Sequence, residues 1–133
     1  MSSTLIDTPT LFIDGKWCAS SERKTRATYN PYDASVIMHV DEATADDAKR
    51  AVTSAKTFFN TSDWPYKTYE ERCALLDRMA DTLQQHKAEL ARIETIDTGK
   101  TLGESEIDID DVTQVFRFYA KEAIKLAQDK QVT

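Results

Sequence analysis

The amino-acid sequence predicts a protein of mixed α and β structure, strand-rich in residues 1–43 and helical in residues 44–133. In the first 40 residues, short alternating runs of apolar and polar side chains are separated by turn-forming residues, a pattern typical of strands. Further along, apolar residues recur every three or four positions, which is the period of an amphipathic helix. Strands followed by helices indicate, on pattern alone, a small α+β domain.

Three or four short strands are predicted in the N-terminal part. LFID and KWCA flank Gly15, and TRATYN is separated from VIMHV by the turn-forming residues 31–35. Glycine and proline at these positions favour turns because glycine reaches a positive φ without a steric clash and proline fixes its own φ. The pattern therefore predicts short strands separated by turns.

The first helix is predicted over residues 44–60. Thr44 is followed three residues later by Asp47, a weaker form of the capping box that satisfies free N–H groups at a helix start. The apolar members of this helix fall on a single stripe: Ala48, Val52, Ala55 and Phe59.

A stronger helix start follows the linker of residues 61–67, where Thr68 precedes Glu71 by three positions. The apolar period continues to Asp97, and the polar residues 84–87 predict a break into two helices. Gly99 ends the second of these helices. The last helix is predicted over residues 104–128, with apolar members at Ile107, Val112, Val115, Phe116, Tyr119, Ile124 and Leu126.

Composition argues against several classes of partner. A net charge of −6 over 133 residues disfavours a nucleic-acid surface, which needs clustered Lys and Arg. No apolar run approaches the roughly 20 residues of a membrane-spanning helix, and the N-terminus MSSTLIDTPT lacks the pattern of a targeting segment. We therefore expect no nucleic-acid partner, no membrane association and a cytoplasmic location.

The cysteines are interpreted as structural, and the histidines as surface or interface residues rather than ligands. Cys18 and Cys73 have neither disulfide nor zinc-ligand spacing, and no base or helix start near them would activate a thiolate. His39 lies in a predicted strand and His86 at the predicted helix break, and a third ligand for a metal site is not found.

The segment ETIDTGKTL, residues 94–102, ends like a phosphate-binding loop. Such a loop needs a glycine five residues before Gly99 and a strand leading into it. Glu94 occupies that position, and the preceding residues have helical periodicity. The sequence therefore predicts that Gly99 stops a helix and that Lys100 lies near its negative end.

Several motifs in one order resemble the N-terminal quarter of the aldehyde dehydrogenase superfamily. They are LFIDGKW, ATYNPYDASVIMHV, DDAKRAVTSAKTFF, the run from YEERCALLDRMADTL to IETIDTGKTLGE, and RFYA. The resemblance implies an α/β fold class, in which this chain supplies peripheral strands and helices of the coenzyme-binding domain and stops before its Rossmann-like sheet. The nucleophilic cysteine, glutamate base, oxyanion asparagine and coenzyme turn of the family have no counterpart here. We therefore assign no catalytic or coenzyme-binding residue, and NAD(P) is not expected to bind this chain.

The resemblance also implies a site for K⁺ or Na⁺. In many family members, carbonyls just before an Asn-Pro pair and the aspartate of the DTGK string hold such an ion, and these positions match Thr28, Tyr29 and Asp97. Carbonyl and carboxylate oxygens suit hard cations. In the alternative interpretation, Asp97 only ends a helix and turns the chain.

The stretch EIDIDDV, residues 106–112, resembles one that lines the substrate tunnel in betaine-aldehyde and aminoaldehyde dehydrogenases. Asp108 and Asp111 are three residues apart and share a helix face. Their carboxylates would attract the positively charged end of the aldehyde. The alternative is that acidic residues near a helix start are favoured by the dipole and solvated.

Two functions remain open on the sequence alone. The first is the N-terminal fragment of an NAD(P)-dependent aldehyde dehydrogenase, which converts betaine aldehyde or an aminoaldehyde to the carboxylate, with the fragment not catalytic by itself. The second is a truncated, non-catalytic module associating with a full-length paralogue. In both, apolar helix stripes left without the central sheet predict self-association or a partner's surface.

Overall fold

The computed structural model describes residues 10–129, with side chains through residue 126. The N-terminal residues 1–9, which belong to the segment judged to lack a targeting pattern, lie outside the described range. The chain divides into two compact units, Met1–Pro65 and Tyr66–Thr133. A short 3₁₀ turn, Trp64–Tyr66, contains the boundary between them.

Two antiparallel hairpins form the start of the first unit, and they confirm the predicted strands. In the first, β1 (Leu11–Ile13) pairs with β2 (Lys16–Cys18). The connecting residues Asp14 and Gly15 have φ values of 56° and 71°, as a type I′ turn requires at both positions. This turn explains why LFID and KWCA form a hairpin around Gly15.

The second hairpin pairs β3 (Thr25–Tyr29) with β4 (Val36–Asp41). Its register shifts between Thr28 and Tyr29, which face Met38 and Val36. Asn30 closes the loop with two hydrogen bonds. Its side-chain oxygen accepts from the Tyr32 N–H at 2.9 Å, and its backbone carbonyl accepts from the Ala34 N–H at 2.8 Å. The Asn-Pro pair therefore belongs to a tight turn at a bulged hairpin end.

The first helix, α1 (Ala45–Thr61), starts at the predicted capping box. The Thr44 hydroxyl accepts from the Asp47 N–H at 3.2 Å, and Asp47 accepts from the Thr44 N–H at 3.0 Å. The predicted apolar stripe faces away from the unit's buried groups, since Val52 is 68% and Phe59 57% exposed. α1 is thus fixed by its N-terminus rather than by a large buried face.

Two carboxylates hold the first unit together. Asp47, only 1% exposed, also accepts from the N–H and hydroxyl of Ser21 at 3.1 Å each and from Arg50 at 2.8 Å. Asp41 accepts from the N–H groups of Thr10 and Ser20 at 2.9 Å each. Charge-assisted bonds of this kind are stronger than neutral ones. They tie β4 and the start of α1 to the segments on either side of the first hairpin.

Three helices form the second unit. They are α2 (Tyr69–Gln85), α3 (Lys87–Thr98) and α4 (Leu102–Asp129). The box formed by Thr68 and Glu71 starts α2, and the predicted break falls at His86. The predicted start of the last helix at Glu104 is wrong by two residues. Thr101 caps α4, accepting from the Glu104 N–H at 3.3 Å while Glu104 accepts from the Thr101 N–H at 3.0 Å.

Small side chains make up the buried part of the helical unit. α4 packs along α2 and α3. Among the described side chains, the buried residues of these helices are Cys73, Ala80, Ala91, Ser105, Thr113 and Ala120. Bulkier apolar side chains on α4 remain exposed, including Val115, Phe118 and Tyr119. The fully buried contacts of these helices are therefore made by small residues, while several large apolar side chains of α4 remain exposed.

The buried carboxylate of Asp47 predicts a specific loss of stability in acid. The hydrogen bond from the Thr44 N–H is the main reason that the pKa of Asp47 lies well below its ordinary value of 3.8. Burial opposes this change, and the hydrogen bond from the Ser21 N–H lowers the pKa further. Stability from such a lowered pKa is complete above the unfolded-state pKa and is lost as the pH falls toward the folded-state pKa. Asp47→Asn should therefore reduce the decline in the free energy of unfolding below about pH 4.

Denaturant unfolding followed by circular dichroism at several pH values measures this effect. Asp46→Asn is the matched control, because Asp46 is an exposed neighbour that pairs with Lys49 on the surface. Asp46→Asn should keep the wild-type pH dependence. The same pH dependence in Asp47→Asn and wild type would contradict the role given to Asp47.

Candidate functional site

The Gly99-Lys100-Thr101 segment joins two helices. Gly99 follows α3 with a left-handed φ of 78°, and its N–H bonds to the Thr95 carbonyl at 2.9 Å. Thr101 then caps α4. The residues before Gly99 are helical, as predicted, so the strand that a phosphate-binding loop requires is absent from this part of the described chain.

Lys100 connects the end of α3 to the first turns of α4. Its ammonium group donates to Glu94 Oε1 at 2.8 Å and also to Asp108 Oδ2. The three side chains are partly buried, with exposures of 34% for Lys100, 27% for Glu94 and 43% for Asp108. The hydrogen bond to Asp108, followed by that to Glu94, raises the pKa of Lys100, and the same bond lowers the pKa of Asp108. Lys100 therefore holds a charged bridge, which the sequence did not predict.

The acidic segment, residues 106–112, lies on α4, and its aspartates have different surroundings. Asp108 bonds to Lys100, and Asp110 accepts from Lys87 Nζ at 2.6 Å. Asp111 is exposed and has no hydrogen bond or ion pair with any residue in the described part of the chain. The resemblance implies that Asp108 and Asp111 act together, and within the described residues the structure gives a cationic partner to Asp108 alone of the two.

The residues predicted for a cation lie in both units. Thr28 and Tyr29 are in β3, at the register shift, and the Thr28 hydroxyl donates to the Met38 carbonyl at 3.3 Å. Asp97 is exposed in the last turn of α3. No cluster of three His, Cys, Asp or Glu side chains suited to a metal is found within residues 10–129. A site built from carbonyls of Thr28 and Tyr29 with Asp97 stays a prediction.

The cysteines and histidines lie within secondary structure or at its ends. Cys73 is buried in α2, and Cys18 is half-buried at the end of β2, 4.0 Å from an Arg50 nitrogen. His39 lies in β4, and His86 lies between α2 and α3, 3.5 Å from Glu89. These positions agree with a packing role for Cys73, a strand position for Cys18 and a surface position for both histidines.

The described residues do not fit a nicotinamide dinucleotide. A dinucleotide pyrophosphate binds at a glycine-rich turn between a parallel strand and a helix. The two sheets described here are antiparallel hairpins. Gly15 lies in a hairpin turn, Gly99 follows α3 and Gly103 lies within α4. No residue is assigned to the coenzyme.

The fold combines hairpins with helices, the DTGK string joins two of the helices, and an acidic segment lies on the last one. These features agree with the comparison to known protein families. The sequence model of the Aldehyde dehydrogenase family matches residues 17–133. The chain belongs to the aldehyde dehydrogenase family. Over the described residues, none of the helices has the length and apolar character needed to cross a membrane.

Relatives of known activity are similar along most of the chain. Betaine aldehyde dehydrogenase of Bacillus subtilis is 37% identical over 111 residues, which are 84% of this chain and 23% of that protein. Aminoaldehyde dehydrogenase 2 of Solanum lycopersicum is 36% identical over 121 residues, 91% of this chain and 24% of that protein. The chain thus spans about a quarter of the length of these relatives.

A solved structure has the same backbone arrangement. The chain matches betaine aldehyde dehydrogenase from Staphylococcus aureus, in complex with NAD⁺, with a TM-score of 0.83 and 41% identity. The match covers 86% of this chain and 23% of that one. The predicted resemblance is confirmed, and the strands and helices correspond to the N-terminal part of aldehyde dehydrogenase structures. A cytoplasmic location stays a prediction.

Proposed function

We propose that the chain is the N-terminal portion of an NAD(P)-dependent aldehyde dehydrogenase that oxidises betaine aldehyde or an aminoaldehyde to the carboxylate. The similarity to betaine aldehyde and aminoaldehyde dehydrogenases supports the reaction class. The single observation that favours a cationic substrate is the exposed carboxylate of Asp111, which has no partner among the described residues. Coenzyme binding and catalysis are assigned to parts of the enzyme other than these 133 residues.

The role of Asp111 in this proposal is electrostatic. A carboxylate that is already bonded to a lysine offers little net attraction to another cation, whereas an unpaired one attracts it fully. An ammonium or trimethylammonium end would approach Asp111, while the aldehyde end would extend toward the reacting groups. The charge at Asp111 would thus select substrates by their remote end, through binding rather than chemistry.

Replacing Asp111 by Met in an active enzyme that carries these residues should raise KM for an aminoaldehyde several-fold while sparing a neutral aldehyde of equal length. Only the cationic substrate loses a partner, so the ratio of the two kcat/KM values measures the charge effect. Asp111→Glu is the matched control, since it keeps the charge and should keep the preference. Equal changes for both aldehydes in Asp111→Met would remove the electrostatic explanation.

The non-catalytic module associating with a full-length paralogue has no observation in its favour. We also propose that the isolated chain self-associates. It is supported by exposed apolar side chains in each unit, including Phe12, Trp17 and Phe58 in the first and Val115, Phe118 and Tyr119 in the second. Soluble monomers rarely leave contiguous apolar surface of this kind uncovered.

Thr28, Tyr29 and Asp97 are proposed as ligands for K⁺ or Na⁺ in an active enzyme that contains the chain. The register shift at Thr28 and Tyr29 and the exposure of Asp97 support it, because irregular pairing and a solvated carboxylate leave oxygen atoms accessible.

The isolated chain should bind K⁺ or Na⁺ weakly if at all. In an active enzyme, Asp97→Ala should reduce the increase in melting temperature produced by adding K⁺ or Na⁺, because the cation loses a charged ligand. Differential scanning fluorimetry across a salt series measures this, with a tetraalkylammonium salt as the ionic-strength control and Asp77→Ala, an exposed aspartate on α2, as the control variant. An unchanged cation response in Asp97→Ala would show that the site is assigned wrongly.

A further inference from the structure

Two lysines divide the carboxylates around the acidic segment into bonded and unbonded groups. Lys100 bonds to Glu94 on α3 and to Asp108 on α4, and Lys87 bonds to Asp110. Asp111 alone among the three aspartates of the segment has no such partner within the described residues. The distribution of negative charge on this part of α4 is therefore set by lysines from outside the helix.

The Lys100 ammonium group links α3 to α4. Its ammonium group is shared between two carboxylates on different helices, and all three side chains are partly buried. The bridge fixes the Asp108 carboxylate toward the end of α3. The positive charge of Lys100 offsets one of the two negative charges of Glu94 and Asp108. Thr101, the next residue, starts α4 through its capping box, and the Thr95 and Ser105 hydroxyls lie 2.9 Å apart across the same two helices. These contacts hold the end of α3 against the start of α4 and so keep Lys100 next to Asp108.

We propose that Lys100 is a positioning residue that determines charge selectivity: by holding Asp108 against Glu94, it leaves Asp111 as the carboxylate available to the positively charged end of a substrate. This inference rests on the proposed function, because it concerns the same acidic segment. It predicts that Asp108 and Asp111 are unequal and that Lys100 limits the attraction of the segment for cations.

The kinetic test uses an active enzyme that carries these residues, with an aminoaldehyde and a neutral aldehyde of equal length. Lys100→Met should lower KM for the aminoaldehyde about two- to fivefold, the range expected for partly exposed charge pairs. The double variant Lys100→Met with Asp108→Asn should lose this gain, and Lys100→Arg should behave like wild type. KM for the neutral aldehyde should not follow these changes.

The matched control is Lys125→Met, which removes a lysine from α4, the helix that carries Asp108. Lys125 pairs with Glu122. Glu122 lies 14 residues after Asp108, which is about 20 Å further along the axis of α4. It should leave the aminoaldehyde KM unchanged. If Asp111→Asn has no effect on either substrate, the proposed function fails. If Asp111→Asn acts but Lys100→Met does not lower KM for the aminoaldehyde, the inference about Lys100 is wrong.

A second measurement on the 133-residue chain does not depend on activity. Carboxyl carbon chemical shifts followed through a pH titration by NMR should show the pKa of Asp108 rising in Lys100→Met and returning in Lys100→Arg. The same titration of Asp108 in wild type and Lys100→Met, with helix content retained by circular dichroism, would overturn the proposal.

Discussion

Close packing through small side chains is the constraint on which the helical unit depends. Ala80 on α2, Ala91 on α3, and Ser105 and Ala120 on α4 are almost completely buried. A larger side chain at these contacts would separate the helices, since interiors close to crystal density accommodate extra methylene groups poorly. The close approach also brings Lys100 and Lys87 within bonding distance of the aspartates on α4. The geometry of the acidic segment thus depends on small buried residues of the three helices, including Ser105 within one turn of Asp108.

Polar interactions, rather than large buried side chains, fix the ends of the elements. The same threonine-acid spacing starts α1 at Thr44, α2 at Thr68 and α4 at Thr101. Each box satisfies N–H groups that have no partner within the helix. In the first unit, Asp41 and Asp47 extend this role by binding segments distant in sequence. Both units therefore have well-defined local geometry with little apolar burial.

Local signals explain why most of the fold was predictable. The hairpin turn at Asp14-Gly15, the caps at Thr44 and Thr68 and the stop at Gly99 each depend on residues within a few positions. The start of α4 was misplaced by two residues, although the spacing of Thr101 and Glu104 signals the correct start. The bridges of Lys100 and Lys87 were beyond prediction, since they form only when α3 and α4 pack. A family resemblance indicated Asp108 and Asp111 but not the lysine that makes them unequal.

We propose that this chain is a portion of an aldehyde dehydrogenase whose helices leave large apolar side chains for other surfaces to cover. Differential scanning calorimetry measures how much apolar surface the chain buries by itself, at concentrations where light scattering reports a monomer. A fully formed domain of this length should unfold with a heat-capacity increase of about 1.6 to 2.0 kcal/mol/K. We expect a clearly smaller increase and a monomer that forms only on dilution. A stable monomer that unfolds cooperatively with the full increase would contradict it.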